Sequence, residues 1–141
     1  KKIRKIVLKK KKLVKKKMSY NELYRISNSN EFIIPLEIHK QYGVIDIPGI
    51  EVLNIEKSQR SGKKYAITIR YNGTTKTIHY GNSDYQQYED RTPIKAFSSM
   101  NHHDEKRRRA YLARSSKITD YTGLAANNPF SPNRYSIITL W

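Results

Sequence analysis

The chain has 141 residues, with 28 Lys and Arg against 12 Asp and Glu, a formal net charge of +16 and no cysteine. Disulfides, thiolate metal sites and a cysteine nucleophile are therefore excluded, and no apolar run approaches the roughly 18 residues of a membrane span or the about 7 to 15 of a signal-peptide core. One compact soluble domain with extensions is the expectation at this length, and the charge points to an anionic partner.

The charge is unevenly spread. Residues 1–17 hold 11 of the 28 bases and no acid, leaving 17 bases against 12 acids, or +5, for residues 18–141. Lys9, Lys10, Lys11, Lys12, Lys15, Lys16 and Lys17 form the densest run and are candidate contacts to a polyanion or partner. A phosphate-binding tether that releases counterions is one reading, and a solvated tail is the plainer one. The interspersed Ile3, Ile6, Val7, Leu8, Leu13 and Val14 exceed what an electrostatic tail needs, so part of the arm is expected in a groove of a neighbour. The chain opens on Lys1 and not on Met, which reads as a processed or partial product with Met18 as an alternative start.

Ser19 with Glu22 three residues later makes a capping box for a short helix. The segment from Phe32 to Ile38 reads as extended, with Pro35 favouring an edge. Residues 44–47 and 50–56 flank Pro48-Gly49, a pair suited to the centre of a type II turn, and so predict a hairpin. Residues 58–63 form a polar connector. The next hairpin is legible pair by pair. Asn72-Gly73 supplies the two positive-φ positions of a type I′ turn, which sets Tyr71 opposite Thr74, Ile69 opposite Lys76, Ile67 opposite Ile78 and Tyr65 opposite Tyr80. Tyr65, Ile67, Ile69 and Tyr71 then form an apolar face, and Lys64, Ala66, Thr68 and Arg70 a polar, basic one. Gly81 ends the strand.

Asn82 or Ser83 is positioned to cap a helical turn over residues 84–88. Asn101 is the expected N-cap of a longer basic helix, with Asp104 and Glu105 in its first turn and Lys106, Arg107, Arg108, Arg109 and Arg114 further along. These five cations are the second group of candidate polyanion or partner contacts. Tyr135 to Trp141 is apolar and β-prone, so a docked C-terminal strand is expected, with Trp141 as an anchor in this domain or in a partner.

His102, His103, Asp104 and Glu105 are consecutive, and consecutive helical residues point about 100° apart, so they do not make one metal site. No phosphate-binding glycine loop, triad or spaced carboxylate set stands out, and the chain reads as non-enzymatic, with no catalytic, cofactor or metal residues assigned. Tyrosines interleaved with bases between residues 63 and 111 match the chemistry of single-strand binding surfaces. Tyr65 and Tyr80 are expected in the core. Tyr85, Tyr88 and Tyr111 are left open.

The succession Lys64-Tyr65-Ala66-Ile67, Ile78-His79-Tyr80-Gly81, Asp84-Tyr85, then the run from His103 and Asp104 through Arg107, Arg108, Tyr111 and Arg114 to Leu140-Trp141, resembles small basic virion proteins of nucleocytoplasmic large DNA viruses. The resemblance spans about residues 62–141. Members pass from a hairpin ending in His-(Phe/Tyr)-Gly into a helix patterned His-x-Asp-x-x-(Lys/Arg)-(Lys/Arg) and finish on an aromatic-rich tail. Ser115-Ser116 replaces the basic run expected after Arg114, and residues 127–133 lengthen the approach to the tail. The resemblance implies a virion component, located in the virion and in the host cytoplasm or nucleus during assembly.

The fold expected is therefore α+β: a small antiparallel sheet of two hairpins, one main basic helix, a basic N-terminal arm over residues 1–17, and a single domain over 18–141 with a C-terminal tail at 127–141. A minor capsid or shell-cementing protein that engages other virion proteins through its termini is the first functional expectation. A nucleic-acid-binding protein that condenses or tethers viral DNA through the arm and residues 106–114 is the second.

Overall fold

At Asn72-Gly73 the backbone turns with φ of 49° and 79°, the left-handed pair a type I′ turn demands. This computed structural model describes residues 34–141. The turn joins β2 (Lys63–Tyr71) to β3 (Thr74–Asn82), and all four anticipated cross-strand pairs are present. β1 (Glu51–Lys57) runs antiparallel along the other edge of β2, giving a three-stranded sheet in the order β1-β2-β3. The α+β class is borne out. Among the described residues the α-helices are α1 (Leu36–Tyr42), α2 (Glu105–Ser115) and α3 (Pro132–Leu140), and a second, two-stranded sheet pairs β4 (Thr119–Asp120) with β5 (Gly123–Leu124).

The core lies where α3 packs on the sheet. Tyr65, Ile67, Ile69, Ile78 and Tyr80 meet Tyr135, Ile137, Ile138 and Leu140, all buried. The tyrosine pair sits inside as expected, with ring centres 5.9 Å apart, and the Thr139 hydroxyl donates to Tyr80 Oη at 3.0 Å. Such tyrosines add large apolar area while their hydroxyls need internal partners.

Several sequence expectations are corrected. The C-terminal segment docks, but as helix α3 and not as a strand. Ser131 caps it by accepting from the Asn133 N–H at 3.2 Å, Pro132 occupies the first turn, and six of its nine residues are buried. Packing on the sheet thus overrides the β propensity of Tyr135, Ile137, Ile138 and Thr139. Pro35 precedes a helix instead of sitting in a strand: its carbonyl accepts from Ile38 and His39, and Gly43 ends α1 in the left-handed region. Proline's fixed φ suits the entry to a helix as well as an edge strand.

Pro48-Gly49 does turn the chain, yet residues 44–47 form no strand. Side chains from the C-terminal third take their polar groups, since Asn127 Oδ1 accepts from Ile45 N and Arg134 donates to Ile45 O, both near 3 Å. The sheet's second hairpin is β1–β2, closed by residues 58–62. Residues 84–88 are irregular, because the following backbone serves α3: Glu89 N donates to Leu140 O and Arg91 N to Thr139 O, at 3.1 and 2.8 Å. These bonds satisfy carbonyls that a helix end leaves open. The capping box at Ser19 and the N-terminal arm lie outside the described residues.

Candidate functional site

Helix α2 starts later than its sequence reading. Asp104, not Asn101, is the N-cap, its carboxylate accepting from Lys106 N at 2.9 Å and Arg107 N at 3.2 Å. Those backbone donors hold the Asp104 carboxyl below its usual range. Asn101 is occupied elsewhere, with its Oδ1 accepting from Gln87 Nε2 and Asp90 N, and His103 has φ of 51°, which stops a helix from beginning earlier. His102 and His103 therefore precede α2 and do not share a helical face with its bases.

The predicted cations of α2 have two different fates. Arg108 is buried: its Nε donates to the Trp141 carbonyl at 2.5 Å, its Nη1 to Glu37 at 2.8 Å, and its guanidinium lies 4.7 Å from the centre of the Tyr88 ring. It ties α2 to α1 and to the end of α3, and is a structural cation. Lys106, Arg107, Arg109 and Arg114 are exposed and form no salt bridge among the described residues. Helical spacing divides them. Arg107, Ala110, Tyr111 and Arg114 recur at i, i+3, i+4 and i+7 and form one face, while Lys106 and Arg109 lie on another.

The Arg107 face lines a cleft of about 500 Å³ between α2, the end of β3 and the end of α3. Lys64, Arg107 and Arg114 contribute positive charge to its lining, which includes no acidic side chain. Tyr85, Tyr111 and Trp141 supply aromatic surface, and Asn82, Gln86 and Ser136 supply polar groups. Trp141 is half-buried and stacks on Tyr111, with ring centres 4.1 Å apart and planes 9° from parallel. The anticipated anchor thus packs within its own domain, beside His102 at 5.2 Å. Burial, then the nearby Arg107, holds the His102 imidazole below its usual pKa.

Of the tyrosines left open, Tyr111 belongs to this stack, Tyr88 donates its hydroxyl to Glu105, and Tyr85 is 68% exposed at the cleft. Lys64 belongs to the strand face read as polar and basic, yet it is buried. Its side chain is buried along Gly81, and its Nζ donates to Tyr85 O at 2.6 Å and Gln87 Oε1 at 2.5 Å. Desolvation outweighs the attraction of Asp90 and lowers the ammonium to about 8.

Sequence reasoning missed the group that shapes this region. Asp90 is buried, and its carboxylate accepts from Tyr65 Oη at 2.5 Å, Phe97 N at 3.0 Å, Thr92 N at 3.0 Å and Thr92 Oγ1 at 2.6 Å. These bonds tie residues 90–97 to Tyr65 of the sheet, while the irregular segment that carries Tyr85 and Gln86 is held by Lys64 through Tyr85 O and Gln87 Oε1 and by Gln87 N donating to Met100 O. Asp90 and Thr92, two apart and just before Pro93, are the kind of signal that marks a side chain bonding its own loop.

Lys9, Lys10, Lys11, Lys12, Lys15, Lys16 and Lys17 lie outside the described residues. Among the described residues no group of His, Asp and Glu is placed to hold a metal ion, and no helix is long and apolar enough to cross a membrane. The cleft offers positive charge, hydrogen-bond donors and aromatic surface. No protein-family model, curated protein or solved structure matches the chain.

Proposed function

We propose that the chain is a non-enzymatic structural component of a virion, a minor capsid or shell-cementing protein that binds neighbouring virion proteins. The viral part of this reading rests on the resemblance carried by Ile78-His79-Tyr80-Gly81 and by the segment from His103 to Arg114. The observation that carries the contact role is the hairpin of β4 and β5, where Tyr121 is 93% exposed beside Ile118 at 50% and Leu124 at 37%. Large apolar side chains exposed on and next to one short hairpin are suited to burial against another protein surface. Replacing Ile118, Tyr121 and Leu124 together by Ser tests this. The folded variant should fail to enter particles, and normal incorporation would refute the role of this surface.

The second reading, nucleic-acid binding, is favoured by the four exposed cations of α2 that form no salt bridge among the described residues. With the arm they would neutralise phosphates and release counterions, so affinity should fall steeply with salt. Removing residues 1–17 and separately replacing Lys106 and Arg109 by Ala should each flatten that dependence. An unchanged salt dependence in both would refute this reading.

A further inference from the structure

We propose that the cleft between α2, β3 and α3 is a nucleotide-sized site that holds one unstacked unit of a single-stranded nucleic acid. This rests on the nucleic-acid reading and adds to it a specific seat. Charge selects an anion, because the exposed Arg107 and Arg114 line the cleft with no acidic side chain in its lining, and the buried Lys64 ammonium, bonded to Tyr85 O and Gln87 Oε1, adds its charge from the interior. Arg107 and Arg114 lie one face-repeat apart on α2 and are exposed, so both reach a phosphate without losing a salt bridge. Their present hydrogen bonds are to neutral groups, Arg107 to Gln86 Oε1 at 3.0 Å and Arg114 to the Ala110 carbonyl at 3.2 Å. A phosphate oxygen is a stronger acceptor than either.

The aromatic groups specify more than a bare anion. Tyr85 presents a largely exposed ring, and the stacked Tyr111–Trp141 pair supplies a rigid apolar wall within the same cleft. Arginines beside exposed aromatic surface are the elements with which proteins hold the backbone and stack the bases of a single strand. The volume of about 500 Å³ is within the range of about 300 to 1,000 Å³ typical of small-ligand pockets. A concave site of that size admits a splayed base, whereas the bases of a duplex remain stacked inside it. Asn82, Gln86 and Ser136 supply donors and acceptors for a base edge or sugar.

The test uses the full chain, whose only tryptophan is Trp141, so intrinsic fluorescence reports on the cleft itself. Titration with a thymidine oligonucleotide should change Trp141 fluorescence, while a duplex of equal length and inorganic tripolyphosphate should bind without the same change. Tyr85→Ala should weaken oligonucleotide binding read at Trp141 by about tenfold, and leave duplex binding unaltered. Arg114→Ala should weaken oligonucleotide binding as well. Lys106→Ala with Arg109→Ala, on the other face of α2, should reduce oligonucleotide and duplex affinity alike. Equal fluorescence responses to oligonucleotide and tripolyphosphate would make the cleft a simple anion site and overturn the proposal. Nucleic-acid binding that is indifferent to Tyr85→Ala would overturn the cleft proposal but leave the wider nucleic-acid reading standing. No binding of any nucleic acid at low salt would overturn both.

Discussion

Two glycines with nearly the same backbone angle allow the contact between α3 and the sheet to be isolated. Gly73 has φ of 79° and Gly81 has φ of 80°. An alanine at either site is forced into the left-handed region, at a cost of about 1 kcal/mol. At Gly73 that is the whole effect, since an added Cβ would meet nothing within 4 Å. At Gly81 the same atom would stand 3.1 Å from Leu140 Cδ1, 3.2 Å from Lys64 Cβ and 3.3 Å from Lys64 Cδ. Leu140 and the Lys64 stem can rotate, but Lys64 Cβ is fixed to the central strand. Overpacking then adds about 1 to 3 kcal/mol, for a total of about 2 to 4. The assay is urea denaturation followed by circular dichroism, with thermal melts in parallel. A domain of this size loses roughly 4 °C per kcal/mol, so Gly73→Ala should lower Tm by about 4 °C and Gly81→Ala by about 8 to 16 °C. Equal losses for the two variants would refute the close approach of α3 and Lys64 to Gly81.

Arg108→Ala should destabilise the fold by about 2 to 3 kcal/mol in urea titrations, because the Trp141 carbonyl, Glu37 and the Tyr88 ring lose a buried partner. Arg109→Ala, on an exposed side chain, should stay within about 0.5 kcal/mol, and equal effects would refute the division of α2 into buried and free cations. Asp90→Ala should cost about 3 kcal/mol or more, since four hydrogen bonds to one buried carboxylate are lost together; an unchanged denaturation midpoint would refute its role as the loop's organiser. Stability should rise between about pH 8 and 9.5. Lys64 has a folded value lowered to about 8, so over this window the unfolded chain binds more protons than the folded one. The rise should be absent in Lys64→Met, and wild type and variant with parallel profiles would refute the assignment. Above that window the buried tyrosines oppose it, with Tyr135 pushed up to about 12 and the hydroxyls of Tyr65 and Tyr80 also raised, because the unfolded chain then ionises first.

What the chain itself determined is local. Asn72-Gly73 selects one turn type, the turn sets the register, and with period-two alternation the register puts Tyr65, Ile67, Ile69, Ile78 and Tyr80 on one side. The existence of α2, its basic character and the burial of the tyrosine pair follow from the same short-range rules. The tertiary structure decided whatever depended on residues far apart. Tyr135, Ile137, Ile138 and Thr139 carry strand propensity, yet form α3 because a capped helix buries them against β3 and their end carbonyls find Glu89 and Arg91. Residues 44–47 lose their strand to the side chains of Asn127 and Arg134, more than 80 positions away. The cleft is the furthest from local rules, since Lys64, Tyr85, Arg107, Arg114 and Trp141 come together only when Lys64 bonds the Tyr85 carbonyl and Arg108 holds α2 to the end of α3. A periodic pattern records which face of an element is apolar, whereas the partner of that face, and the fate of each buried charge, depend on long-range packing that spacing does not encode.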